Sequence, residues 1–162
     1  MRLLRHVFDI ASAKRCFPSS TLDAIQAAIA KSEHRHLGEI VFAVEGSLRA
    51  GAVMRGVNAR ARAHEVFARL RVWNTEQNSG VLVYVLLADH AIEIVADRGV
   101  SKKIDAAEWP VICSLMQQDF VRDKYEHGAI AGVEAVGELL ARHFPANGQR
   151  NSDELPDRPV LL

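Results

Sequence analysis

Three separate segments of the chain carry side chains able to hold a hard cation. His34, His36 and Glu39 stand close together, Trp73, Asn74, Glu76 and Asn78 share a polar stretch, and Asp97, Arg98 and Gly99 form the third group. Carboxylate and amide oxygens suit Ca2+ or Mg2+, which take oxygen ligands. The same set equally suits a hydrogen-bonded loop junction. Other chemistry has thinner support. There is no G-x-S-x-G turn for a nucleophilic serine, and Gly51 with Gly56 lacks the lysine of a phosphate-binding loop. His34-x-His36 offers two imidazoles with nothing to fix the remaining zinc ligands, so both read as exposed loop histidines. Cys16 and Cys113 lie far apart in no metal or redox spacing, and Cys113 reads as a core residue.

The elements between these segments decide whether they meet. Ser20 with Asp23 resembles a capping box, so a helix should follow, with Leu22, Ile25 and Ile29 inward and its end near Ser32. Residues 39–44 (EIVFAV) are β-branched and aromatic and read as a buried strand. Gly46, Gly51 and Gly56 space out a loop. A helix over residues 57–72 carries Ala59, Ala63, Val66, Phe67 and Leu70 at helical spacing. Its arginines, Arg60, Arg62 and Arg69, read with Arg55 and Arg71 as a solvated face paired with acids elsewhere. Residues 80–88 are apolar at nearly every position, the pattern of a strand covered on both faces. Residues 91–96 form a third strand, with Asp89-His90 as a two-residue hairpin.

A further helix starts between Asp105 and Trp109, with Trp109, Ile112, Cys113, Met116 and Phe120 inward. The last spans residues 125–143, with Ala129, Val133, Val136 and Leu140 inward. The polar tail lies extended, and its Leu155, Val160 and Leu161 are placed to dock on the domain. The order predicts an α/β fold: a compact three-layer α/β/α sandwich with a small mixed, Rossmann-like sheet and helices on both faces. The first two strands, joined by a helix, should be parallel. One domain spans residues 17–145, with residues 1–16 packed on it and residues 146–162 as an extended tail. This topology gathers the three polar segments at one end of the sheet. Glu45, the glycine loop and Asp89-His90 go to the other end.

Composition narrows the class. Twenty basic residues balance twenty acidic ones, which argues against a nucleic-acid binder and leaves self-association open. The longest apolar run, residues 81–88, is far below the roughly 20 residues that span a bilayer. The N-terminus lacks the apolar stretch of a secretory signal, and two cysteines suit a reducing compartment. The expectation is a cytoplasmic protein. Leu3, Leu4, Val7 and Phe8 fall on one helical face, read as a short helix packed on the domain with a membrane-surface helix as the alternative.

Residues 72–100 (VWNTEQNSGVLVYVLLADHAIEIVADRGV) resemble the core signature of the TPM domain family. So do residues 36–40 (HLGEI), residues 62–67 (RAHEVF), Trp109, residues 143–145 (HFP) and the closing ELPDRPV. The family takes its name from photosystem II repair proteins and an animal receptor modulator, and the chain looks like its short bacterial form. The resemblance implies a compact α/β sandwich. It also implies divalent-ion binding, seen in some members, and acid phosphatase activity, ascribed to plant members. Carried over residue by residue, it points to Glu76, Asn78, Asp89, Asp97, Arg98 and Gly99. Asn74 stands where relatives commonly have Asp, which removes a charge from a cation site.

Two functional readings follow. The first is a binding or scaffold domain that recognises a protein, membrane-associated partners included, with Ca2+ or Mg2+ steadying Glu76, Asn78 and Asp97. Glu39, Trp73, Asn74, Asp89, Arg98 and Gly99 complete the candidate site. The alternative is a metal-dependent acid phosphatase-like hydrolase, in which the ion polarises a phosphoryl oxygen and Arg98 offsets developing charge. For Asp97 a purely structural role, capping the turn before Gly99, is at least as well supported.

Overall fold

The computed structural model describes residues 12–149 and 152–162. The predicted N-terminal helical face, Leu3 to Phe8, lies outside them. Helices α1 (Ser12–Cys16) and α2 (Ser19–Glu33) lead into β1 (Glu39–Glu45). Helices α3 (Ala50–Met54) and α4 (Ala59–Arg69) then lead to β2 (Gly80–Leu86). After β3 (Ala91–Ala96) come α5 (Arg98–Ser101), α6 (Glu108–Phe120), α7 (Tyr125–His143) and β4 (Val160–Leu161). Among the described residues the strands form one sheet in the order β3-β2-β1-β4.

β1 and β2 are parallel, with Glu39 opposite Gly80, and β2 and β3 are antiparallel, with Val81 opposite Ala96. Both inner strands are buried at every position, as their apolar runs require. Alternate residues feed two cores. Ile40, Phe42, Val44, Val81, Val83 and Val85 pack with α2, α6 and α7. Val41, Ala43, Leu82, Tyr84 and Leu86 pack against Ala59, Ala63 and Val66 of α4. The result is the expected α/β sandwich with helices on both faces. Phe17, fully buried, anchors the larger core with rings of Phe42, Phe120 and Tyr125 within about 6 Å of its own.

Several local expectations are corrected. Ser20 caps nothing: α2 begins at Ser19 behind Pro18, and Asp23 instead pairs with Arg158 of the tail at 2.7 Å. The glycine loop contains a helical turn, α3, and α4 starts only at Ala59, where the Asn58 side chain accepts the Ala61 amide. β2 stops at Leu86, so a four-residue connection replaces the two-residue hairpin. Leu87–Asp89 forms a tight 3-10 turn and His90 takes the left-handed conformation, φ 50°. Asp-His does not supply the two consecutive positive-φ residues of a type I′ turn. The tail adds a parallel strand, β4, with Ala43 opposite Val160 and Val44 opposite Leu161. Two residues leave too little periodicity to betray a strand.

The arginine-rich helix behaves as expected. Arg62 forms a two-point pair with Glu45, at 2.8 and 2.9 Å, and also reaches Glu65; Arg60 reaches Glu93 and the Ile94 carbonyl. Cys113 packs against the larger core, and burial pushes its thiol up to about 11.

Candidate functional site

The amino-terminal ends of β1 and β2 and the carboxyl end of β3 share one end of the sheet. Glu39 stands opposite Gly80, and the Asp97 amide donates to the Gly80 carbonyl at 2.9 Å. Glu39 and Asp97 therefore flank the start of β2, roughly two strand spacings, about 10 Å, apart along the backbone. Most of the predicted residues gather here. Asp89 does not: it lies in the β2–β3 turn at the opposite end, where the strand directions place it.

The loop before β2 is tightly constrained. The Asn74 amide donates to the Arg71 carbonyl, the Ser79 amide to Thr75 Oγ1, and Ser79 Oγ to the Leu37 carbonyl. Arg71 and Asn78 both hold positive φ, 54° and 52°. Trp73 is half exposed on this loop, and Glu76 is exposed with its amide bound to Glu154 Oε2 of the tail.

Asp97 is the first residue outside α5, and its Oδ1 accepts the Arg98 amide at 2.7 Å. That is the capping role sequence alone allowed. Its other oxygen, Oδ2, is buried with no hydrogen-bond partner among the described residues. Arg98 Nε reaches back to Asn78 Oδ1 at 3.2 Å. Gly99 is required by close approach: a Cβ there would lie 2.5 Å from the carbonyl oxygens of Gln77 and Asn78. Its amide donates to the Asn78 carbonyl, closing the junction.

Donor chemistry at this junction is all oxygen, as Ca2+ and Mg2+ require. Asp97 Oδ2 is the anionic anchor the residues offer, with Asn78 Oδ1 and the exposed Glu76 nearby in sequence. Among the described residues no three His, Cys, Asp or Glu side chains gather as a metal-holding group. The described side chains therefore do not form an all-protein cage for an ion.

His34 and His36 point to different partners. His34 Nδ1 lies 2.6 Å from the Ala30 carbonyl on the exposed helix end. His36 is fully buried, which overturns the expectation of an exposed loop histidine. Its Nε2 sits 3.0 Å from Ser32 Oγ and its Nδ1 3.0 Å from the Gly38 carbonyl. Burial lowers it to about 4, so the ring is neutral near pH 7.

A second group of acids surrounds Glu39, of which the sequence reading singled out Glu39 alone. Glu33 closes α2, and its Oε1 accepts the Ile40 amide at 2.8 Å. Glu39, fully buried, accepts the Leu155 amide of the tail through Oε2 at 3.2 Å, and its Oε1 has no partner among the described residues. Burial pushes Glu39 up to about 7, with Asp153 and Glu154 of the tail adding to the rise. One signal in the sequence pointed to this group. Glu33 sits at a helix carboxyl end, where the dipole disfavours an acid.

The family model for the TPM domain matches residues 12–139. The chain belongs to the TPM domain family. Among solved structures, the NMR structure of BA42 protein from the psychrophilic bacterium Bizionia argentinensis superimposes with a TM-score of 0.78. It is 27% identical, and the match covers 90% of this chain and 95% of that one. No curated protein sequence matches the chain. Within this TPM domain no described helix is long and apolar enough to cross a membrane.

Proposed function

We propose that this TPM domain is a binding module that recognises a protein partner through the loop end of its sheet, with a weakly held Ca2+ or Mg2+ steadying that end. The observation that supports the reading is Asp97 Oδ2, a buried carboxylate oxygen without a donor beside a loop carrying the half-exposed Trp73. A buried anionic oxygen left unpaired is costly, and a hydrated cation relieves that cost. Glu76 and Asn78 supply the further oxygen ligands, and Trp73 supplies an aromatic contact surface of the kind enriched in interfaces. A divalent-ion titration followed by residue-resolved NMR tests it. Shifts confined to residues 73–78 and 97–99 are expected; their absence with both ions removes the cation from the reading.

A metal-dependent acid phosphatase-like activity is the second reading, favoured by the exposed Arg98 guanidinium next to Asp97. Arg98 would offset charge on a phosphoryl oxygen. Hydrolysis of a chromogenic phosphate ester with Mg2+ or Ca2+ tests it. A rate unchanged by Asp97→Ala assigns the activity elsewhere.

A further inference from the structure

The C-terminal segment crosses the molecule as a strap. Residues 153–157 arch over the start of β1, and β4 then pairs with β1 at two positions. Leu155 is buried in the smaller core, Arg158 pairs with Asp23 and Gln26, and the Leu162 amide donates to the Val44 carbonyl. Against these contacts stands an unusual choice of charges. The strap brings Asp153, Glu154 and Asp157 onto a surface that already holds Glu33 and Glu39. Asp153, Asp157 and Glu33 line a cavity of about 600 Å³ there, with His34 and Gln149.

Two carboxylate oxygens in this group, Glu39 Oε1 and Asp157 Oδ1, are buried with no partner among the described residues. Described ion pairs leave all five acids without an Arg or Lys: Arg35 pairs with Glu138, and Arg158 is engaged with Asp23. His34 is the base that acts on Asp157, and the nearby His36 is neutral in its own pocket. Glu33 feels the charges of both Glu39 and Asp157, so ionising the three together costs mutual repulsion.

We propose that the strap is a pH-sensitive latch, docked on the domain while Glu33, Glu39 and Asp157 share protons and released as those protons are lost. Glu33 and Asp157 act on one another across the strap, and two carboxyls join by a hydrogen bond only when a proton lies between them. Burial raises both; Glu39 and Asp157 add to the rise at Glu33, whereas at Asp157 only Asp153 adds to it, and Glu33 and His34 oppose it. Two tail amides, of Leu155 and Glu154, oppose the rise at Glu39 but do not cancel it. The sign follows. A carboxyl held above its ordinary value of 4.5 contributes to docking fully below that value. The contribution is lost as pH rises through about 7 for Glu39, and higher for Glu33. Release strips β4 from β1 and leaves the Ala43–Val44 edge open to another extended segment.

Amide exchange protection, followed residue by residue by NMR on the full chain, reads the latch directly. Protection at Leu155 and Leu162, corrected for intrinsic exchange, should fall at least about tenfold between about pH 5 and about pH 8, while Val83 in β2 stays protected. Glu33→Gln, which donates to Asp157 without a titrating proton, should keep the strap protected at the higher pH. Asp157→Asn, placed on the strap where the core does not depend on it, should flatten the pH dependence as well. Unchanged wild-type protection over this range overturns the proposal, as does an Asp157→Asn chain that retains the full dependence. Loss of protection on adding EDTA at about pH 5 also overturns it, because a bound cation and not a proton would then hold the strap.

Discussion

Tyr84 Oη donates a 2.6 Å hydrogen bond to Glu45 Oε2, which Arg62 Nε also reaches at 2.8 Å. This buried trio ties the sheet to α4 at the carboxyl end of β1. Burial and the neighbouring Glu45 carboxylate hold the Tyr84 phenol protonated far above its ordinary range. Tyr84→Phe should cost about 1.5–3 kcal/mol, the usual value of a hydrogen bond to a charged group. Arg62→Ala should cost about 3–5 kcal/mol, because it leaves the buried Glu45 carboxylate without a counter-charge, held by Tyr84 alone. Urea denaturation of the two variants measures both, and equal small losses would show the pair to be solvated.

The neutral, buried His36 makes the domain acid-sensitive. Its value of about 4 lies below the ordinary 6.5, so the unfolded chain binds the proton first as pH falls. The stability it contributes is whole above about pH 6.5 and is lost as pH falls towards about 4, by roughly 3 kcal/mol. His36→Gln should flatten this limb of the stability curve in denaturant titrations across pH. The carboxyls under the strap act with the opposite sign, so the two effects separate only when the variant is compared with wild type.

Gly137 lies against the same histidine. A Cβ there would sit 1.9 Å from Ser32 Oγ, the atom that contacts His36 Nε2. Gly137→Ala should therefore destabilise by about 1–3 kcal/mol through overpacking, despite alanine's better helix propensity. Thermal unfolding gives the size of the loss. A stabilised variant would mean that α2 and α7 separate freely.

Phe17 is the hinge of an aromatic cluster between β1 and the two long helices. Phe17→Ala should cost about 3–5 kcal/mol and reduce the near-ultraviolet circular dichroism of the cluster. A loss below about 1 kcal/mol would place the centre of the larger core elsewhere.

Asp97→Asn separates capping from cation binding. The amide oxygen still accepts the Arg98 amide, so stability should change by less than about 1 kcal/mol. Ca2+-induced change in Trp73 fluorescence should weaken at least about tenfold, because the buried carboxylate oxygen at this junction is gone. Equal ion affinity in the variant would remove Asp97 from the site.

Much of the fold was legible from local pattern. The last helix runs from Tyr125 to His143 as its apolar spacing required, and the two continuous apolar runs became the two inner strands. The end of the sheet that collects Glu39, residues 73–78 and residues 97–99 also followed from strand order alone. Less was legible at boundaries. Ser20 looks like a cap, yet Pro18 already fixes the chain at the start of α2. His36 looks like a loop residue, yet Ser32 one turn earlier gives it a buried partner.

What the sequence determined by itself was the layer architecture, the family and the identity of the polar end, because periodicity and connection rules act over short stretches. What only the tertiary structure decided was which polar atoms meet. Glu39 and Leu155 are 116 positions apart, and no local pattern links them. The acidic tail declared itself as polar and extended. Only packing showed that it lies across two buried acids and closes the sheet as β4, since contacts between distant segments depend on how the whole chain turns.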